Sequence, residues 1–125
     1  MIKGIGIDLV KNSRIELIYK KHKESFAQKI LSKEELTQYR NADSRVTFLS
    51  KRFASKEAFS KAIGTGLYRD GLYPSYLTIR HDKFGKPIFL VDSNLSKFLS
   101  RMSAKSVYLS ITDTNELTAA VVIIE

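Results

Sequence analysis

Residues 46–66, VTFLSKRFASKEAFSKAIGTG, carry the longest helical pattern in the chain, and any fold must be arranged around it. At about 100° per residue, Val46, Phe48, Leu49, Phe53, Phe59 and Ile63 spread over one broad apolar arc. Gly64 follows as a suitable residue to end the helix. Arg52 and Lys56 project from within that arc, and Glu57 lies at its far edge. An unpaired charge is costly to bury, so these cations need either stems that reach water or an anionic partner. Glu57 and Lys61, four residues apart, are spaced for a surface ion pair or for joint work at a site.

The chain opens MIKGIGIDLV, which reads as a strand over residues 2–10. Ile5, Ile7 and Leu9 fall on one face, and Gly4, Gly6 and Asp8 on the other. Glycine in a strand marks close approach of a ligand or of another backbone. Asp8 either caps the helix that follows or belongs to a site. That helix runs to about residue 20 with Asn12 or Ser13 as its cap, SFAQKIL suggests a second, and LSKEELTQYR a third. Ser32 and Glu35 have the spacing of a capping box.

The second half changes character. In SYLTIRHD, Tyr76, Thr78 and Arg80 alternate against Leu77, Ile79 and His81, as in a half-buried strand, and FGKPIFLV adds a glycine turn and a short apolar run. SNLSKFLSRM predicts a short helix opened by Ser93 or Asn94. AKSVYLSITDT and ELTAAVVIIE predict a hairpin turning at Thr114–Asn115. Strands at both ends with helices crowding the first half predict an α+β fold, a mostly antiparallel sheet packed with a long central helix, in a single domain over 1–125.

Composition narrows the chemistry. The chain has no cysteine, so disulfides, thiolate zinc sites and cysteine nucleophiles are excluded. No apolar run is long enough to span a membrane and no secretory signal is visible, which predicts a cytoplasmic protein. The formal net charge is +8, so the expected partner is anionic: nucleic acid, a phosphorylated ligand, an anionic membrane or an acidic protein. Part of the excess is clustered, with Lys11, Arg14, Lys20, Lys21 and Lys23 set against Glu16.

GIGIDLV is not a dinucleotide-binding loop, because the third glycine is missing and the glycines lie within the strand. No serine sits in a nucleophile elbow, and His22 and His81 read as surface residues. Asp8 and Glu57, carboxylates from separate elements, suit a hard cation such as Mg²⁺ that also takes phosphate oxygens. Arg and Lys nearby would neutralise the remaining phosphate charge. The Gly64-Thr65-Gly66 turn either presents backbone N–H groups to such a ligand or merely caps the helix. These residues together suggest a site that holds a phosphorylated ligand through a metal.

The succession GIGIDLV, RFASKEAFSKAIGTG, FGKP and LSITDT resembles the holo-acyl-carrier-protein synthases, the small phosphopantetheinyl transferases, in order and over essentially the whole chain. The resemblance implies the 4′-phosphopantetheinyl transferase fold. It implies transfer of 4′-phosphopantetheine from coenzyme A to a serine of an acyl carrier protein, releasing adenosine 3′,5′-bisphosphate. It makes Asp8 and Glu57 the Mg²⁺ ligands and gives Lys61, with Arg52 and Lys56, the developing phosphate charge. Gly64, Thr65, Gly66, Lys86, Pro87 and Ser110 match regions that line the coenzyme A site. On this reading the cleared face of the first strand admits the metal and the pyrophosphate beside Asp8.

Acyl carrier proteins are acidic, and Arg14, Lys20, Lys21 and Lys23, with Phe26 as an apolar contact, are the expected docking surface. The resemblance also implies a homotrimer with active sites between protomers. Many relatives carry a histidine two residues before the serine of L-S-I-T; Tyr108 stands there instead, so a water activated by Asp8 or Glu57 is expected to take the serine proton. A different carrier domain is the nearest alternative substrate. A nucleic-acid-binding module is the rival class, but it lacks any recognised binding motif and leaves both carboxylates unexplained.

Overall fold

The computed structural model describes residues 1–125 and has the α+β architecture expected, with every strand pair antiparallel. In chain order the elements are β1 (Gly4–Lys11), α1 (Asn12–His22), α2 (Glu24–Ile30), α3 (Lys33–Arg40) and α4 (Arg45–Ile63). A 3₁₀ turn (Pro74–Tyr76) then leads to β2 (Ile79–His81), β3 (Pro87–Phe89), α5 (Ser93–Arg101), β4 (Val107–Asp113) and β5 (Leu117–Ile124). The main sheet has the order β1-β5-β4, and β2 and β3 form a separate hairpin. First and last strands are neighbours: Gly4 lies opposite Ile124 and Lys11 opposite Leu117.

Local sequence accounts for most element ends. The capping box at the start of α3 forms as spaced, with Ser32 Oγ accepting from Glu35 N–H and Glu35 Oε1 accepting from Ser32 N–H at 2.9 Å. Gly64 closes α4 at φ 92°, a left-handed conformation open to glycine. Two caps differ from expectation. Asp92, one residue earlier than predicted, accepts from Leu95 N–H and opens α5. No side chain caps α1, because Asn12 is engaged elsewhere: it donates to the carbonyls of Thr114 and Asn115 and accepts from Thr118 Oγ1. Asp8 is therefore not a helix cap. The expected strand over SYLTIRHD is shorter than its alternation, since Pro74–Tyr76 winds into the 3₁₀ turn.

Of the two partners the sequence allowed for the glycine face of β1, ligand or backbone, the structure places helix backbone against Gly4 and Gly6. Gly4 and Gly6 face α4, not a ligand: a Cβ on Gly4 would overlap the Ala62 carbonyl, and one on Gly6 the Ala58 carbonyl. Ala54, Ala58 and Ala62, one turn apart along α4, are buried in this contact. Small residues on both sides let the helix backbone lie directly on the strand. Thr118, Ala120, Val122 and Ile124 of β5 continue the buried face. The other face of β1 is open, with Ile5, Ile7 and Leu9 exposed by 60%, 66% and 64%. No helix is long and apolar enough to cross a membrane.

Candidate active site

Close contact between α4 and β1 places Asp8, Lys61 and Glu57 together. Asp8 is the next residue after Gly6 on the inner face of β1, where the helix leaves room for a side chain. Lys61 Nζ donates to Asp8 Oδ1 at 3.1 Å and to the Ile7 carbonyl at 3.0 Å. The second oxygen, Asp8 Oδ2, is buried and has no hydrogen-bond partner. Glu57, one turn before Lys61, is half-buried, and burial followed by the charge of Asp8 raises its carboxyl above the usual range. Lys61 and Arg14 oppose that shift through space, and no hydrogen bond or ion pair reaches the carboxylate. Tyr68, beyond the helix end, belongs to the same neighbourhood, since burial and then the Glu57 charge raise its hydroxyl.

The arrangement fits a divalent cation. The charge of Asp8 is close enough to raise the Glu57 carboxyl, and a buried oxygen of Asp8 lacks a donor. No third carboxylate, histidine or cysteine completes a cage. Mg²⁺ commonly keeps such incomplete protein ligation and fills its octahedron with water and phosphate oxygens.

Arg52 and Lys56, expected to face the phosphates, do not reach this cluster. They lie on the face of α4 turned toward α3, and Glu35 is their partner. Lys56 Nζ is 2.5 Å from Glu35 Oε1 and also donates to the Ile30 carbonyl at 2.7 Å. Arg52 Nε is 3.0 Å from Glu35 Oε2, and its guanidinium donates to Gln38 Oε1 and lies 4.4 Å from the Phe48 ring centre. Glu35 Oε2 accepts in addition from Ile79 N–H at 3.0 Å. All three charged side chains are buried. Two cations share one carboxylate away from water, so burial lowers both, Lys56 to about 8 despite the attraction of Glu35. Of the two solutions the sequence allowed, stems reaching water or an anionic partner, the structure uses the second, and the anion is supplied from within the chain.

The remaining expected residues fall into three groups. Gly64 and Gly66 N–H both turn back to the Ser60 carbonyl and Thr65 Oγ1 donates to the Gly66 carbonyl, so these two glycine amides are engaged in ending the helix. Lys86, Pro87 and Ser110 line one groove of about 370 Å³ together with Tyr108 and Ile123. That groove lies on the outer face of the main sheet at β4, whereas Asp8 sits on the inner face of β1, two strands away. One copy of the chain therefore does not bring Ser110 to Asp8. Tyr108 donates to the Glu125 carboxylate at 3.3 Å in place of the ring nitrogen a histidine would offer.

On the basic surface, Arg14, Lys20, Lys21 and Lys23 are exposed along and just after α1, with Lys20 3.4 Å from Glu16. Phe26 is only half exposed, because its ring packs 6.4 Å from Phe53. His22 and His81 are exposed as expected; partial burial, then Arg52 and Lys51, lower His81. The sequence reading missed Glu35 as the buried anion, the alanine stripe and Tyr68. The i, i+4 spacing of the alanines was a visible signal, whereas Tyr68 left none.

Comparison with known proteins matches residues 4–122 to the 4′-phosphopantetheinyl transferase superfamily. A holo-[acyl-carrier-protein] synthase of Neisseria meningitidis is 42% identical over 125 residues, covering 100% of the chain and 99% of the relative. One from Vibrio cholerae is 38% identical over 125 residues, covering 100% and 98%. The crystal structure of the synthase from Neisseria meningitidis superposes with a TM-score of 0.93 at 42% identity, covering 100% of this chain and 99% of that one. The Bacillus anthracis synthase, solved in complex with coenzyme A (3′,5′-ADP), superposes at 0.81 with 34% identity, covering 99% and 96%.

Proposed function

The chain belongs to the 4′-phosphopantetheinyl transferase superfamily, and we propose that it transfers 4′-phosphopantetheine from coenzyme A to a serine of apo acyl carrier protein. The observation that carries the metal-assisted form of this reading is the buried, partnerless Asp8 Oδ2 beside a Glu57 carboxylate that no hydrogen bond or ion pair reaches. Two carboxylates, only one of which has a cationic partner in Lys61, repel a pyrophosphate unless a further cation stands between. Asp8 and Glu57 would hold Mg²⁺. When bound, the ion neutralises the pyrophosphate and stabilises charge on the leaving phosphate.

The chain's own groups do the rest. Lys61, held at Asp8, adds positive charge where the leaving phosphate becomes more anionic. The carrier serine oxygen bonds to the phosphorus bearing the pantetheine arm, and the bond from that phosphorus to the bridging oxygen breaks. The electron pair leaves on adenosine 3′,5′-bisphosphate. The serine proton passes to water held beside Asp8 and Glu57. Lys86, Pro87 and Ser110 border the coenzyme A, as does the Gly64–Gly66 turn.

A homotrimer with the site between protomers accommodates the separation of Ser110 from Asp8. It also gives the open Ile5, Ile7 and Leu9 face a surface to cover, since contiguous exposed apolar area marks an interaction site. Arg14, Lys20, Lys21 and Lys23 meet the acidic carrier, and Leu17, exposed on the same helix, extends the apolar contact.

The test is the intact mass of purified apo acyl carrier protein after incubation with the chain, coenzyme A and Mg²⁺. A gain of one phosphopantetheine that EDTA abolishes is expected. No gain, beside a control synthase that modifies the same carrier, would overturn the reading.

A further inference from the structure

Replacing a buried ion cluster with well-packed apolar residues is often neutral or stabilising, so such a cluster is poor evidence for stability alone. The one around Glu35 gathers four separate elements on a single carboxylate and its two cations. Its carboxylate receives the Ser32 amide at the start of α3, the Ile79 amide at the start of β2, and Lys56 and Arg52, one turn apart on α4. Lys56 adds the Ile30 carbonyl at the end of α2. Two consecutive turns of α4 are thereby pinned from one side. On another side Gly4 and Gly6 admit the carbonyls of Ala62 and Ala58, which fixes how closely the helix lies on β1.

Glu57 is the residue after Lys56, about 100° around the helix, and Lys61 follows it one turn on. Neither can shift without turning the segment that Glu35 holds. Side-chain ends lie about 5–6 Å from a helix axis, so a rotation of about 20° moves them by about 2 Å. Mg²⁺ demands ligand oxygens at about 2.0–2.1 Å in near-ideal octahedral geometry, so that shift removes a ligand.

We propose that Glu35 is a positioning residue: through Lys56 and Arg52 it sets the rotation of α4 and holds Glu57 opposite Asp8. The inference rests on the reading of Asp8 and Glu57 as cation ligands. It concerns a residue that touches neither cation nor substrate.

Glu35→Gln in the full chain removes the charge and keeps one acceptor oxygen, enough for one of the two backbone amides. Mn²⁺ titration followed by electron paramagnetic resonance reports the site without turnover. The expected result is Mn²⁺ binding weakened at least tenfold, with kcat lowered at least tenfold and KM for coenzyme A within about threefold, in a chain of native circular dichroism. Should Glu35→Gln fail to fold, the triple change Glu35→Met, Arg52→Met and Lys56→Met replaces the charges by apolar volume and carries the same comparison. Wild-type Mn²⁺ affinity and kcat in a folded variant, whatever its melting temperature, would overturn the inference. Wild-type chain that binds Mn²⁺ but modifies no carrier would sink the proposed transfer and leave this inference to be decided by the Mn²⁺ ratio. Wild-type chain that binds no Mn²⁺ would overturn both.

Discussion

The carbonyl oxygen of Ala58 occupies the place that a side chain on Gly6 would need. This single approach explains why β1 tolerates glycine, whose entropy cost in a strand is otherwise unrewarded. It also brings Asp8, two residues further along the same face, within reach of Lys61.

Gly6→Ala is accordingly expected to force α4 away from β1. The neighbour is backbone and cannot swing aside, so the cost falls in the upper part of the overpacking range, about 3 kcal/mol or more. Urea denaturation of the variant measures it. A loss under about 0.5 kcal/mol would mean that the helix has slack.

Glu57→Gln keeps size and removes a proposed cation ligand. Carrier modification is expected to fall by at least about 100-fold, equivalent to about 2.7 kcal/mol of transition-state stabilisation, with the thermal melt unchanged or raised, because a half-buried charge disappears. Substantial residual transfer in the mass assay would take Glu57 out of the metal site.

The pH dependence has a defined sign. Burial and the charge of Asp8 raise the Glu57 carboxyl, so it holds its proton to higher pH than an ordinary glutamate. Cation binding requires the deprotonated form. The Mg²⁺ concentration for half-maximal rate should therefore climb as pH falls, beginning above the usual glutamate value of about 4.3. Arg14 holds that carboxyl down, so Arg14→Gln should move the climb to higher pH. An unmoved curve would show that Arg14 does not act on Glu57.

Charge reversal at Lys20, Lys21 and Lys23 together tests the carrier surface. These side chains are exposed and lie away from Asp8, so kcat should persist while KM for the carrier rises about tenfold or more. Added salt should raise the wild-type KM and barely affect the variant. Equal salt dependence of the two chains would place the docking surface elsewhere.

What the sequence disclosed and what it withheld divide by distance along the chain. Ser32 and Glu35 announce their capping box because three residues suffice to form it. Gly64 announces the end of α4, and Thr114–Asn115 the hairpin, for the same reason. Arg52 and Lys56 revealed that either a route to water or an anion was needed. No local rule identifies the anion as Glu35, 21 residues before Lys56, whose capping role alone would have explained its presence. The glycines of β1 revealed that something approaches closely; whether ligand or backbone is a matter of tertiary packing. Asp8, Glu57 and Lys61, which the motif grouped, are brought to one spot by α4 and β1. Ser110 and Lys86 were grouped with them by motif, but lie in a different groove of the same copy.

The pairing of β1 with β5 has a consequence for how the chain reaches its structure. Residues 4–11 have no strand partner until residues 117–124 exist. During synthesis the helices can form locally as they emerge, yet the sheet on which α4 rests stays open until residues 117–124 have left the ribosome. Closing so long a loop is entropically slow, and contacts of high sequence separation retard folding. Until that moment the apolar strand at the N-terminus waits unpaired, a template for wrong partners. Seating of Asp8 in the sheet is therefore a late event in folding: Asp8 lies opposite Ala120, made more than a hundred residues after it.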